Sequence, residues 1–291
     1  MSVRILTVNA GDDLLRDIPK RAAHQDLTVE HVPAELAAQA AESEYPLILA
    51  DLHQPELCDA DLIRELRHSR PHQKVLAVCS RGDADAIAAM LRQHAFGLLI
   101  RPLTPQRVRE AIELALVARD WEDDIELISG SSQWLQLRLR CKMEAAERAV
   151  QMFRELQGDL PEDEHEELTT AFRELLMNGI EHGGGGDPRK SLWVNYVVTK
   201  GALVFYIRDP GPGFSMTGLK HAAISNPQGS LEHTNVREEK GIRPGGFGIL
   251  LAKNMADELI YSERGNEVIL IKHRRSRHAA SENAESGNVA P

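Results

Sequence analysis

Cysteine is scarce: the chain has 3 in 291 residues, Cys58, Cys79 and Cys141, scattered and odd in number. That excludes a disulfide framework, and the lack of any Cys-x-x-Cys or histidine pair at metal spacing excludes a zinc site as well. A reducing compartment is implied. No apolar run approaches the roughly 18 residues that span a bilayer, and Met1–Val8 begins as a strand, unlike a signal peptide. These absences point to a cytoplasmic protein with no membrane partner. Positive charge is also short, the formal net charge being −10, which disfavours direct nucleic-acid binding. The basic run Lys272–Arg277 reads as a solvated strand end. What remains is 42% apolar and 27% charged residues, the composition of soluble globular domains, over a length that accommodates two cores.

The pattern changes midway. In residues 1–120 short apolar runs (Val3–Val8, Leu47–Asp51, Val75–Cys79, Leu98–Ile100) alternate with segments of helical spacing (Leu14–His24, Ala34–Ala41, Asp59–Ser69, Ala84–Gln93, Pro105–Arg119). Such alternation predicts an α/β unit, a doubly wound parallel sheet with helices on both faces. Residues 121–132, acidic and then rich in Gly and Ser, read as a linker. Residues 133–275 have another order: an edge strand at Trp134–Arg140, helices at Lys142–Gln157 and Glu162–His182, and strands at Ser191–Thr199 and Ala202–Arg208. After a long polar loop come a helix at Gly248–Met255 and a hairpin, Glu258–Ser262 with Glu267–Lys272, around Gly265-Asn266. That order predicts an α+β sandwich with one open sheet face. The polar, aperiodic tail 276–291 is expected to be disordered.

Three segments of the second part carry chemistry. Asp209–Phe214 reads Asp-Pro-Gly-Pro-Gly-Phe at the end of the run Leu203–Ile207. A strand-end carboxylate accepts a hydrogen bond from an exocyclic amine, and Gly211 and Gly213 let the backbone pass close to a flat ring or a phosphate. Alone, the same hexapeptide also fits a plain turn. On the preceding helix Leu168, Phe172, Leu175 and Leu176 form an apolar stripe, while Glu174, Asn178 and His182 recur every four residues on one polar face. A carboxylate, an amide and an imidazole so stacked suit a metal–phosphate group; a solvated face accounts equally for Glu174 and His182. Asparagine is a mediocre helix former, which singles out Asn178. Finally, Gly245, Gly246, Phe247 and Gly248 open an apolar-periodic helix, where backbone N–H groups and the helix dipole favour an anion.

Taken in order, Glu174–Gly183, Asp209–Phe214 and Gly246–Leu251 resemble the motifs of the Bergerat-type (GHKL) ATPases. The compact size and the closing segment Met255–Leu270 are most similar to anti-sigma-factor serine/threonine kinases. The resemblance covers roughly residues 130–273. It implies ATP and Mg²⁺ as cofactors, with Asn178 as metal ligand, Glu174 as general base, Asp209 at the adenine amine, Gly211 and Gly213 along the base, and Gly246 and Gly248 at the phosphates. Mg²⁺ takes oxygen ligands, and phosphoryl transfer needs mainly positioning and charge neutralisation. The stretch Ser215–Pro244 reads as a lid over the nucleotide, from which Arg237, Lys240 and Arg243 could approach the phosphates. Histidine kinases carry a phosphorylated histidine on a helix pair before the ATP domain, and Lys142–Gln157 has none, so histidine autophosphorylation is disfavoured.

Residues 1–120 resemble a response-regulator receiver, with Asp51 where that family places its phosphoacceptor. Several positions depart from the pattern: Asn9 and Ala10 stand for the acidic pair, Cys79 for the hydroxyl residue and Arg101 for the lysine before Pro102. Asp12 and Asp13 lie about a turn too late to replace the pair. The implied unit is a pseudo-receiver acting by protein contact through Pro105–Arg119, with Asp51 kept as a strand-end residue or, alternatively, as a phosphoacceptor. The resemblance as a whole implies a kinase acting on a small anti-anti-sigma-like protein and sequestering a sigma factor. The alternative is a non-catalytic, ATP-dependent binding switch for the same partners. A homodimer stays open.

Overall fold

The computed structural model describes residues 2–40, 43–52, 60–80, 88–89, 91–131, 133–156, 160–214 and 248–274. The first unit contains β1 (Ser2–Val8), α1 (Asp12–Asp17), β2 (Arg21–Ala22), β3 (Gln25–Val32), α2 (Ala37–Ala40), β4 (Ile48–Asp51), α3 (Ala60–Ser69), β5 (Val75–Cys79), β6 (Gly97–Ile100) and α4 (Pro105–Val117). Its sheet has the order β2-β3-β1-β4-β5-β6, parallel from β3 to β6, with β2 antiparallel to β3. Without the two-residue β2 this is the doubly wound order of receiver domains. Strands β4, β5 and β6 are buried along their whole length, as expected of strands covered on both faces. Thr104 caps α4, its hydroxyl accepting from the Arg107 amide at 3.3 Å, and Pro105 stands in the first turn.

Two local readings are corrected here. Leu14–His24 is not one helix: α1 ends at Asp17, and the chain turns through Ala23 and His24, both at positive φ, into β3. β3 escapes the periodicity rule because it is largely exposed and polar (Gln-Asp-Leu-Thr-Val-Glu-His-Val); its pairing with β1 decides it. The helix expected at 84–93 lies largely outside the described residues.

The second unit contains β7 (Ile125–Ser131), β8 (Trp134–Arg140), α5 (Met143–Leu156), α6 (Glu162–Asn178), β9 (Ser191–Val198), β10 (Ala202–Arg208), α7 (Gly248–Met255), β11 (Glu258–Tyr261) and β12 (Glu267–His273). Its sheet, β11-β12-β10-β9-β8-β7, is antiparallel throughout. Residues 125–131, read as linker from their acidic and Gly/Ser composition, are strand β7, so Trp134–Arg140 is not the edge. One sheet face packs on α5 and α6 through Phe153, Phe172, Tyr196 and Phe205, whose ring centroids lie 4.7–5.6 Å apart in tilted and edge-on pairs. Among the described residues no helix is long and apolar enough to cross a membrane.

Candidate functional site

α6 buries Leu168, Ala171, Phe172, Leu175, Leu176 and Met177 against the sheet, which leaves Glu174 and Asn178 one turn apart beside that stripe. The next residues do not continue the α-helix: Gly179–Gly184 form a π-helical turn. Four-residue spacing no longer returns to the same face in such a turn, and His182 is exposed there. The row of three predicted for this face therefore contains only Glu174 and Asn178.

At the end of β10, Asp209 is tied into place by backbone contacts. Its amide donates to the Asn266 carbonyl at 3.0 Å, and its Oδ1 accepts from the Gly211 amide at 2.7 Å. Burial disfavours its charged form and raises its pKa, against the Gly211 hydrogen bond. The π turn lies directly against this carboxylate: a β-carbon on Gly183 would stand 2.2 Å from Asp209 Oδ1. Gly213 has φ +82°, and a β-carbon there would meet the Arg264 carbonyl at 1.9 Å, so the hexapeptide turn and the β11–β12 hairpin pack backbone to backbone. Phe214 closes that side against Tyr261, with centroids 5.4 Å apart.

Gly248, the first residue of α7, lies against the Glu174–Asn178 side of the site. A β-carbon on Gly248 would come within 2.6 Å of Glu174 Oε2 and 3.4 Å of Asn178 Nδ2. Three segments far apart in sequence thus meet around the C-terminal end of α6 and the turn that follows it. The Asn178 amide nitrogen is buried and has no hydrogen-bond partner among the described residues, a state that a polar ligand relieves. A carboxylate and an amide at the start of a glycine-opened helix fit a metal-bound phosphate chain. Arg243, Gly245, Gly246 and Phe247 lie outside the described residues, as do Arg237, Lys240 and the rest of 215–247. Sequence reasoning missed Gly183 and Asn266; the run of glycines 183–186 and the hairpin Gly265-Asn266 were the available signals.

In the first unit Asp51 ends β4 with its side chain fully buried. Arg101 Nη1 and Nη2 donate to Asp51 Oδ1 and Oδ2 at 2.9 and 2.6 Å, and Arg101 Nε donates to Asp13 Oδ2 at 2.8 Å. The Gly11 amide adds a hydrogen bond to Asp51 Oδ2 at 3.0 Å. Asp13, expected to lie too late in the chain, does reach the site from the first turn of α1. Among the described residues no group of three or more His, Cys, Asp or Glu is placed to hold a metal ion.

Residues 139–272 match the family described as histidine kinase-like ATPase domain. The anti-sigma F factor of Geobacillus thermodenitrificans is 25% identical over 142 residues, which cover 48% of this chain and 90% of that protein. The anti-sigma F factor of Anoxybacillus flavithermus is 28% identical over 114 residues, covering 38% and 70%. Among solved structures, a CheY-like response regulator receiver domain protein of Methanospirillum hungatei is 20% identical and covers 40% of this chain and 94% of its own, with a TM-score of 0.34. A response regulator of Thermotoga maritima is 18% identical and covers 40% and 100%, with a TM-score of 0.36.

Proposed function

Since residues 139–272 carry a histidine kinase-like ATPase domain, we propose that the chain is an ATP-binding, anti-sigma-factor-like regulator that phosphorylates a serine or threonine of a small partner protein. The observation that supports this most is the convergence of Glu174, Asn178 and Gly248 at the C-terminal end of α6, with Asp209 held against the π turn that follows it. In this reading Asp209 accepts from the adenine amine and Asn178 holds Mg²⁺, while the N-terminus of α7 faces the phosphates. When bound, the metal ion neutralises phosphate charge. Glu174 takes the proton of the attacking hydroxyl as its oxygen bonds to phosphorus and the bond to the ADP leaving group breaks.

The names of the two relatives, both anti-sigma F factors, support a sigma factor and its antagonist protein as partners. The first unit is a pseudo-receiver in this proposal: Arg101 occupies the carboxylate site where phosphorylation chemistry needs a metal ion. The test is transfer of labelled phosphate from ATP to small anti-anti-sigma-like proteins. Label on a partner hydroxyl, lost in Glu174→Gln with ATP binding kept, is the expected result. ATP binding without transfer to any partner would replace the kinase by an ATP-gated binding switch.

A further inference from the structure

β6 is the last strand of the first sheet, and an edge strand presents unpaired backbone groups to whatever lies beside it. Here a helix of the second unit lies along it. Arg148 Nε of α5 donates to the Phe96 carbonyl at 3.1 Å and Gln151 Nε2 to the Leu98 carbonyl at 2.5 Å, while Glu155 Oε2 accepts from the Ile100 amide at 2.6 Å. Positions 148, 151 and 155 share one helix face, and 96, 98 and 100 one strand edge, so the two periods run side by side. Arg107 of α4 closes the end by donating to the Ile100 carbonyl at 3.2 Å and pairing with Glu155. Arg148 is also buried against Phe96 and Trp121, with its guanidinium carbon 4.4 and 4.9 Å from the ring centroids.

This seam lies between two charged sites. The residue after Ile100 is Arg101, bound to Asp13 and Asp51. On its other side α5 packs against α6, the helix of Glu174 and Asn178, through Phe153 on Phe172 at 5.0 Å and an ion pair between Glu147 and Arg173. Separating the units would strip the buried Glu155 carboxylate of Arg107, and a buried charge left without its partner is costly.

We propose that α5 is a permanent reader of the β6 edge, so that the Asp13–Asp51–Arg101 cluster fixes the end of β6 and thereby the seat of α5 beneath the nucleotide helix. Arg101 and Glu155 are then positioning residues for a site they do not touch. The proposal rests on the nucleotide reading of Glu174 and Asn178 for its consequence, while the coupling itself needs no ligand.

The test uses the full chain and compares wild type, Arg101→Ala, Glu155→Gln and the double variant by amide hydrogen exchange and by affinity for a fluorescent ATP analogue. Arg101→Lys serves in place of Arg101→Ala should the latter not fold. The expected result is exchange about tenfold faster in residues 143–156 for the Arg101 variant, from loss of a charge-assisted contact. Analogue binding should weaken, with the double variant no worse than the more affected of the two single variants. Faster exchange confined to the first unit, or strictly additive effects on affinity, overturns the proposal. A chain that binds no analogue removes the nucleotide reading, and the exchange pattern alone still decides the coupling.

Discussion

Arg101 and Asp51 form a two-pronged ion pair, Nη1 to Oδ1 at 2.9 Å and Nη2 to Oδ2 at 2.6 Å, with the carboxylate entirely shielded from solvent. Burial works against the charged guanidinium, but hydrogen bonds to Asp51 and Asp13 outweigh it and raise its pKa. An internal cation thus neutralises carboxylates that would otherwise need an external one. Arg101→Ala leaves Asp51 buried and without that cation, and is expected to cost about 3–5 kcal/mol, read as a shift in the urea midpoint. Treatment of wild type with acetyl phosphate and Mg²⁺ is expected to leave Asp51 unmodified by mass spectrometry; a phosphorylated Asp51 would contradict the pseudo-receiver.

The contact between Arg101 and Asp13 makes stability depend on acid. Asp13 has its pKa lowered, chiefly by the Arg101 hydrogen bond. A depressed folded-state pKa contributes stability above the ordinary value of 3.8 that is lost as pH falls through the lowered one. Acid titration of unfolding below about pH 4 should therefore be shallower in Asp13→Asn than in wild type.

Asp209 gives the opposite sign. Its pKa is raised by burial, whereas an adenine amine would favour the carboxylate, so binding of ATP is expected to release a proton as the pH approaches the raised value. Affinity is expected to fall as pH drops through the raised value, already above the ordinary 3.8. Asp209→Asn should abolish that dependence and weaken ATP binding by about 10- to 100-fold, the worth of a hydrogen bond to a charged group. Calorimetry in two buffers of different ionisation enthalpy checks both; unchanged affinity in Asp209→Asn would refute the pocket.

Asn178→Ala removes a buried amide whose nitrogen has no partner among the described residues. Little folding stability should be lost, while the Mg²⁺-dependent part of ATP affinity disappears. The comparison is ATP affinity with and without Mg²⁺, and equal Mg²⁺ dependence in wild type and variant would exclude Asn178 as the ligand.

Gly183→Ala places a methyl group 2.2 Å from the unmodified Asp209 Oδ1 position. The carboxylate must move, so ATP binding is expected to drop while the fold loses about 1–3 kcal/mol. Thermal unfolding alongside nucleotide titration separates the two effects.

Local pattern was sufficient wherever burial is one-sided or complete. The apolar runs of β4, β5 and β6, the Pro105 start of α4, the stripe of α6 and the Gly265-Asn266 hairpin all lie where the sequence places them, because solvent exclusion imposes their periodicity directly. β3 and β7 were not legible. Both are mostly exposed or half-exposed strands with polar residues, and only a neighbouring strand gives them their conformation.

At the sites the division is similar. Residue order alone proposes Glu174, Asn178, Asp209 and the glycines as one set, since each residue type has its own chemistry at a strand end or on a helix face. Three-dimensional packing decided which members meet. The π turn removes His182 from the row and brings Gly183 onto Asp209, while the first turn of α1 holds Asp13 against Arg101. Hydrogen bonds between Arg148, Gln151, Glu155 and the β6 edge join the two units. Such contacts span some fifty residues of chain, and no periodicity within a segment encodes them, because their partners are backbone groups that every residue possesses.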